Sequence, residues 1–170
     1  MYTSHLSLRV FVLSTLLIFM GQALALDKPA GTPVLSLSGQ IDQANTAQQQ
    51  AVFDMQMLRA LPQHSFTTQT PWYPQPVKFT GPLLRDVLAA AGSKGASIVA
   101  IALNDYRTEI PVQDTLDHEV IVATLMNDKP MPVREKGPLF IVYPFDSKAG
   151  LQAATFYNRS AWQLRALQIK

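Results

Sequence analysis

The chain has 170 residues, 48% of them hydrophobic, with 14 basic and 12 acidic side chains and no cysteine. That length suits a single domain, and a formal charge of +2 with no Lys/Arg run longer than a pair gives no footprint for nucleic acid. The missing cysteine excludes disulfides, thiolate metal sites, cysteine nucleophiles, iron–sulfur clusters and the lipidated cysteine of a bacterial lipoprotein.

Residues 1–25 read as a cleaved Sec-type signal peptide. Arg9 supplies the positive start, Val10–Met20 an apolar run, and Gln22-Ala23-Leu24-Ala25 a small-x-small cleavage site. The apolar run is about half of the ~20 residues a spanning helix needs, which favours cleavage over anchoring. The mature protein is then a single domain, residues 26–170, exported to the bacterial periplasm with a formal charge near +1. A signal without twin arginines exports an unfolded chain, so any ligand is met after export. Asn158-Arg159-Ser160 is formally a glycosylation sequon and is read as chance.

After a loose Pro/Gly/Lys leader, Val34–Ser38 alternates and ends at Gly39, as a strand does. Thr46–Leu61 carries Val52, Met55 and Leu58 near helical spacing before Pro62 and predicts a helix. Phe66–Thr70 is a short β-type run, and Pro71, Pro74 and Pro76 stiffen a loop around Trp72 and Tyr73. A second helix is predicted over Pro82–Ala91, with proline at its first position and Gly92 past its end. Strands are predicted at Ser97–Leu103, Tyr106–Pro111, Val120–Met126, Leu139–Tyr143 and Ala161–Ile169. Early helices, late strands and no βαβ rhythm give the class α+β.

No self-contained catalytic motif is present. His64 and His118 stand 54 residues apart, without the spacing of a zinc pair, and Asp114–Glu119 reads as a solvated acidic turn. There is no G-x-S-x-G, H-E-x-x-H, P-loop or G-x-G-x-x-G. A serine triad drawn from Ser65 or Ser147, His64 and Asp146 has no spacing that requires it.

Phe79 to Ile169 nonetheless carries an ordered series of segments. They are Phe79-Thr80-Gly81-Pro82-Leu83-Leu84 with Leu88 and Gly92, Ala102-Leu103-Asn104-Asp105-Tyr106 with Ile110-Pro111, and Ile121-Val122-Ala123. Asn127-Asp128-Lys129-Pro130-Met131, Gly137-Pro138-Leu139 with Tyr143-Pro144, and Arg159-Ser160-Ala161-Trp162-Gln163-Leu164 follow. In this order the segments resemble the molybdopterin-binding domain of the sulfite oxidase superfamily. The resemblance implies a mixed β-sheet, barrel-like domain with a few short helices. Enzymes of that superfamily hold molybdenum through a cysteine thiolate, which no position here provides. The chain is also short for a catalytic member. Both departures, with the Sec-type signal, make molybdenum an unexpected cofactor and catalysis an unexpected activity. The chain looks similar to a cysteine-free exported subgroup whose members bind free pterins and act as sensors. Such proteins dock on the periplasmic part of a membrane enzyme that makes or degrades cyclic di-GMP. The alternatives are a molybdopterin-dependent oxidoreductase and a cofactor-free interaction subunit of a membrane complex.

A pterin is a flat bicycle with an amide-like edge, so it needs a face to stack on and a donor–acceptor pair along that edge. A carboxylate suits the edge. The candidates for ligand contact are Asp105 and Tyr106 at a strand junction, Arg159 and Trp162 beside the last strand, Tyr143 before Pro144, and Trp72 in its proline-stiffened loop. Arg134 reads as part of a solvated charge cluster.

Overall fold

The computed structural model describes residues 26–170, and the signal-peptide reading lies outside the described residues. In chain order the elements are β1 (Pro33–Gly39), β2 (Ala51–Asp54), α1 (Met55–Ala60), β3 (Gln63–Thr68), β4 (Val77–Pro82), α2 (Leu84–Ala90) and β5 (Ser97–Ala102). They continue with β6 (Arg107–Pro111), α3 (Val112–Asp117), β7 (Ile121–Ala123), β8 (Leu125–Met126), β9 (Lys129–Pro130), β10 (Phe140–Val142), α4 (Ala154–Arg159) and β11 (Leu164–Ile169). Short strands and four short α-helices make the domain α+β, as the sequence predicts. Among the described residues no helix is long and apolar enough to cross a membrane.

The strands form three sheets. Five strands run in the order β2-β1-β11-β5-β6, four in the order β3-β4-β8-β9, and β10 pairs with β7. The last strand lies at the centre of the first sheet, parallel to β1 (Ser36 opposite Ala166) and antiparallel to β5 (Leu167 opposite Ala100). Both of its flanks are therefore covered, and Leu164, Leu167 and Ile169 sink into the core with Leu35, Leu37, Ile98 and Ala100. A closure between β4 and β7 depends on a residue without a side chain. A Cβ on Gly81 would run into the backbone carbonyl of Val122 and come within 2.9 Å of Ala123 Cα.

The structure revises several predicted elements. Thr46–Leu61 is not one helix: Ala51–Asp54 is a strand buried at every position, and only Met55–Ala60 is helical. The three-residue spacing of Val52, Met55 and Leu58 spans a strand–helix junction. Asp54 makes that junction, because its carboxylate accepts hydrogen bonds from the backbone N–H of Met57 (2.8 Å) and of Gly31 (2.7 Å). Pro82 does not open α2; it ends β4, and Leu83 precedes the helix without a side-chain cap. Gly92 is left-handed past the end of that helix (φ +61°), as expected. Val120–Met126 divides into β7 and β8 around buried Thr124. The supposed acidic turn over Asp114–Glu119 is largely helical, within α3, and α4 was not foreseen at all.

Candidate functional site

Three of the predicted site residues meet at one end of the five-stranded sheet. Here β5 turns into β6 through Leu103–Tyr106, and the chain passes from α4 into β11. The turn is tight. Ala102 N–H donates to Tyr106 O (2.9 Å), Asp105 N–H to Ala102 O (3.1 Å), and Asn104 Oδ1 accepts from Tyr106 N–H (3.1 Å). Asp105 takes the left-handed conformation (φ +63°), one that Asp tolerates better than most residues.

Between this turn and α4 lies a cavity of about 240 Å³. Its rings come from Trp72, Tyr106, Tyr157 and Trp162, and its polar groups from Asn104, Asn158 and Ser160, with Ala102 at one wall. The volume falls somewhat below that of ordinary ligand sites, ~300–1,000 Å³. It is the scale of one flat bicycle rather than a dinucleotide.

Each wall is held by packing behind it. Trp72 is a hub, edge-on to Phe140 (centroids 5.4 Å apart), Trp162 (5.6 Å), Tyr157 (6.0 Å) and Phe145 (6.1 Å). Edge-to-face pairs of this kind suit the quadrupoles of both rings. Trp162 also meets Phe140 (6.2 Å), and Lys136 Nζ stands 3.9 Å from its ring centroid. Burial holds that ammonium below its ordinary pKa. Gln163, next in the chain, is left-handed (φ +52°); its N–H donates to Lys136 O and its carbonyl accepts from Leu103 N–H, both at 2.9 Å. This break in the extended backbone separates Trp162 from the regular part of β11. Tyr106 is tied across the cavity by its hydroxyl, which donates to Asn158 O (2.8 Å).

Three of the six predicted residues, Trp72, Tyr106 and Trp162, line the cavity together. The other three do not. Asp105 faces outward and pairs with Arg165 (2.6 Å), so the carboxylate proposed for the heterocycle edge is turned away. Tyr143 is fully buried, and its hydroxyl donates to Asp114 (2.8 Å). Burial, then that hydrogen bond and the charge of Asp114, push its pKa up; the Arg159 charge opposes them. Arg159 donates to the same Asp114 oxygen (2.8 Å) and lies over the Phe156 ring.

Asn104, Tyr157, Asn158 and Ser160 complete the wall and were not among the predicted residues. Their one sequence signal is adjacency to Tyr106 and Arg159. The two amides offer a heterocycle edge both a donor and an acceptor, as the absent carboxylate could not. His118, assigned to a solvated loop, instead sets its ring edge-on to Phe156 (5.7 Å) with a buried, unpartnered Nδ1. No triad assembles: Asp146 accepts from Gln69 N–H and Gln152, and the hydroxyl of Ser65 meets Thr80. A larger groove of about 520 Å³ runs past Pro33, Leu103, Val133 and Leu164, but no aromatic ring lines it.

The donor set can be weighed against a molybdenum–pterin group. The cavity supplies indoles, phenols, amides and a hydroxyl, which fit the pterin. Among the described residues no three His, Cys, Asp or Glu side chains cluster as metal ligands, and the chain has no cysteine for a thiolate bond. The residues present fit the organic half and do not supply the superfamily's protein ligand to the metal.

Comparison with curated proteins gives no match. The pattern of the oxidoreductase molybdopterin binding domain, by contrast, matches residues 40–147, which include Trp72, Asn104 and Tyr106, and the chain belongs to that family.

Proposed function

We propose that this chain is a non-catalytic pterin-binding protein of the periplasm. In this reading it serves as a sensor for a membrane enzyme that makes or degrades cyclic di-GMP. The observation that carries the ligand is the aromatic cavity: Trp72, Tyr106, Tyr157 and Trp162 around two side-chain amides. Stacking on such rings contributes about 1–3 kcal/mol per base in the analogous nucleobase case, and the amides read the edge. The absence of any cysteine supports binding without the superfamily's redox chemistry. Export rests on the signal-like residues 1–25, and the signalling partner on the resemblance to pterin-binding sensors.

Protein purified from periplasm should release a fluorescent pterin on denaturation, and should rebind pterin added back. Failure to bind any of a panel of pterins would refute the ligand. Stoichiometric molybdenum in protein from molybdate-replete cells would refute the non-catalytic role and restore the oxidoreductase reading that family membership favours. Co-purification with a membrane cyclase or phosphodiesterase tests the partner, and its absence from cross-linked membranes would remove it.

A further inference from the structure

Three of the eight residues lining the cavity, Tyr157, Asn158 and Ser160, are carried by α4 and the residue after it. That helix is weak by itself. It has six residues, none of them buried, and no side-chain cap at its start. A helix this short does not persist without tertiary contacts. Its position is therefore set by what grips it. Phe156 and Tyr157 pack on Tyr143 and Phe145 (centroids 5.3 and 5.0 Å apart), contacts that resist separation but leave sliding open. Tyr106 holds the carbonyl of Asn158.

Trp72 and His118 also meet Tyr157 and Phe156 edge-on, and a further grip is charged and directional. Asp114 on α3 accepts at one oxygen both the guanidinium of Arg159 and the hydroxyl of Tyr143, each at 2.8 Å. The ion pair is sheltered, with the two side chains only 24% and 13% exposed. Neither Arg159 nor Asp114 lines the cavity. We infer that Asp114 and Arg159 are positioning residues. Their ion pair, braced by the Tyr143 hydroxyl, fixes the C-terminal turn of α4 and so sets the spacing between the α4 wall and the Tyr106–Trp162 wall. This rests on the pterin reading for its ligand, though not for its geometry.

The test is a double-mutant cycle of Asp114→Asn and Arg159→Gln, with Arg159→Lys as the conservative variant. Two readouts are taken on the mature protein, well below each variant's melting temperature. The first is affinity for unsubstituted pterin by fluorescence titration. The second is amide hydrogen exchange over residues 154–160, which needs no ligand. Positioning through the pair requires each single change to weaken pterin binding about tenfold, the double change to be no worse than the worse single one, and Lys to recover part of the loss. Exchange over 154–160 should quicken in all but the Lys variant. If Asp114→Asn leaves affinity unchanged or raises it while Arg159→Gln lowers it, Arg159 contacts the ligand and the inference fails. Losses that multiply in the double variant also overturn it. Should the unsubstituted protein bind no pterin, the proposed function falls, and exchange alone then decides: quickened exchange sustains the positioning role, and unchanged exchange ends it.

Discussion

Replacing Trp162 with alanine separates a stacking surface from a packing residue, because this indole serves as both. On the packing side it loses two edge-to-face partners, Trp72 and Phe140, each about 0.5–1.5 kcal/mol. It also loses the Lys136 ammonium over its face, about 0.5–1 kcal/mol. Together these give a destabilisation of about 1.5–4 kcal/mol, or roughly 5–15 °C in a domain of this size. On the binding side the lost stack of about 1–3 kcal/mol lowers pterin affinity roughly 5- to 150-fold. Thermal denaturation reads the first and fluorescence titration of the folded variant reads the second. Trp162→Phe, which keeps a smaller ring, should recover part of each. Trp72→Ala should instead fall mainly on stability, since that ring touches four others. A folded Trp162→Ala protein that binds pterin as tightly as the parent would refute the assignment of the cavity.

Other consequences concern the scaffold. Tyr143 has its pKa raised by burial, so the native state holds a proton that the unfolded chain releases above about pH 10. Stability from this group is complete below that pH and declines as pH rises further. Tyr143→Phe should flatten the alkaline limb of a urea-denaturation series, and an unaltered limb would exclude the effect. Asp54 has its pKa lowered by the N–H groups of Met57 and Gly31. Its contribution is present above the usual carboxylate range and lost as pH falls through it, so Asp54→Asn should make stability less steeply dependent on pH between about 5 and 3. Gly81→Ala drives a methyl into the Val122 carbonyl and should cost about 2–3 kcal/mol, measured by urea unfolding. Retention of full stability there would mean that β4 and β7 can move apart freely.

What the sequence disclosed follows from the range of the forces involved. The strands were legible because β-branched and apolar runs such as Ser97–Ala102 and Phe140–Val142 carry their burial in their composition. The helices were less so. α3 carries Asp114 and Asp117, with His118 just past its end, and all three look solvated in isolation. Only the fold supplies the reason for burying Asp114: Arg159 lies 45 positions away and Tyr143 29. Val52, ahead of α1, matched a helical spacing with Met55 and Leu58, yet pairing with β1 claimed Ala51–Asp54 as a strand. At the site, Trp72, Tyr106 and Trp162 were legible because a flat ligand calls for rings, whereas Tyr157 was not. The amides were not, since Asn104 and Asn158 are common surface residues until a turn and a short helix bring them to one cavity.

The division of the cavity bears on what the chain has kept from its family. Trp72, Ala102, Asn104 and Tyr106 fall inside the matched span of residues 40–147, whereas Tyr157, Asn158, Ser160 and Trp162 lie beyond it. The second group is joined to the first sheet by β11, whose central place between β1 and β5 makes it part of the core. The C-terminal segment thus completes the sheet and the far wall of the cavity in one stretch of chain. A thiolate would bind a metal at one point, whereas a flat ring needs two opposed walls at a fixed separation. The structure supplies the walls and, through Asp114 and Arg159, a means of fixing their separation. On the proposed pterin reading, the demand falls on the spacing of rings rather than on any single reactive atom.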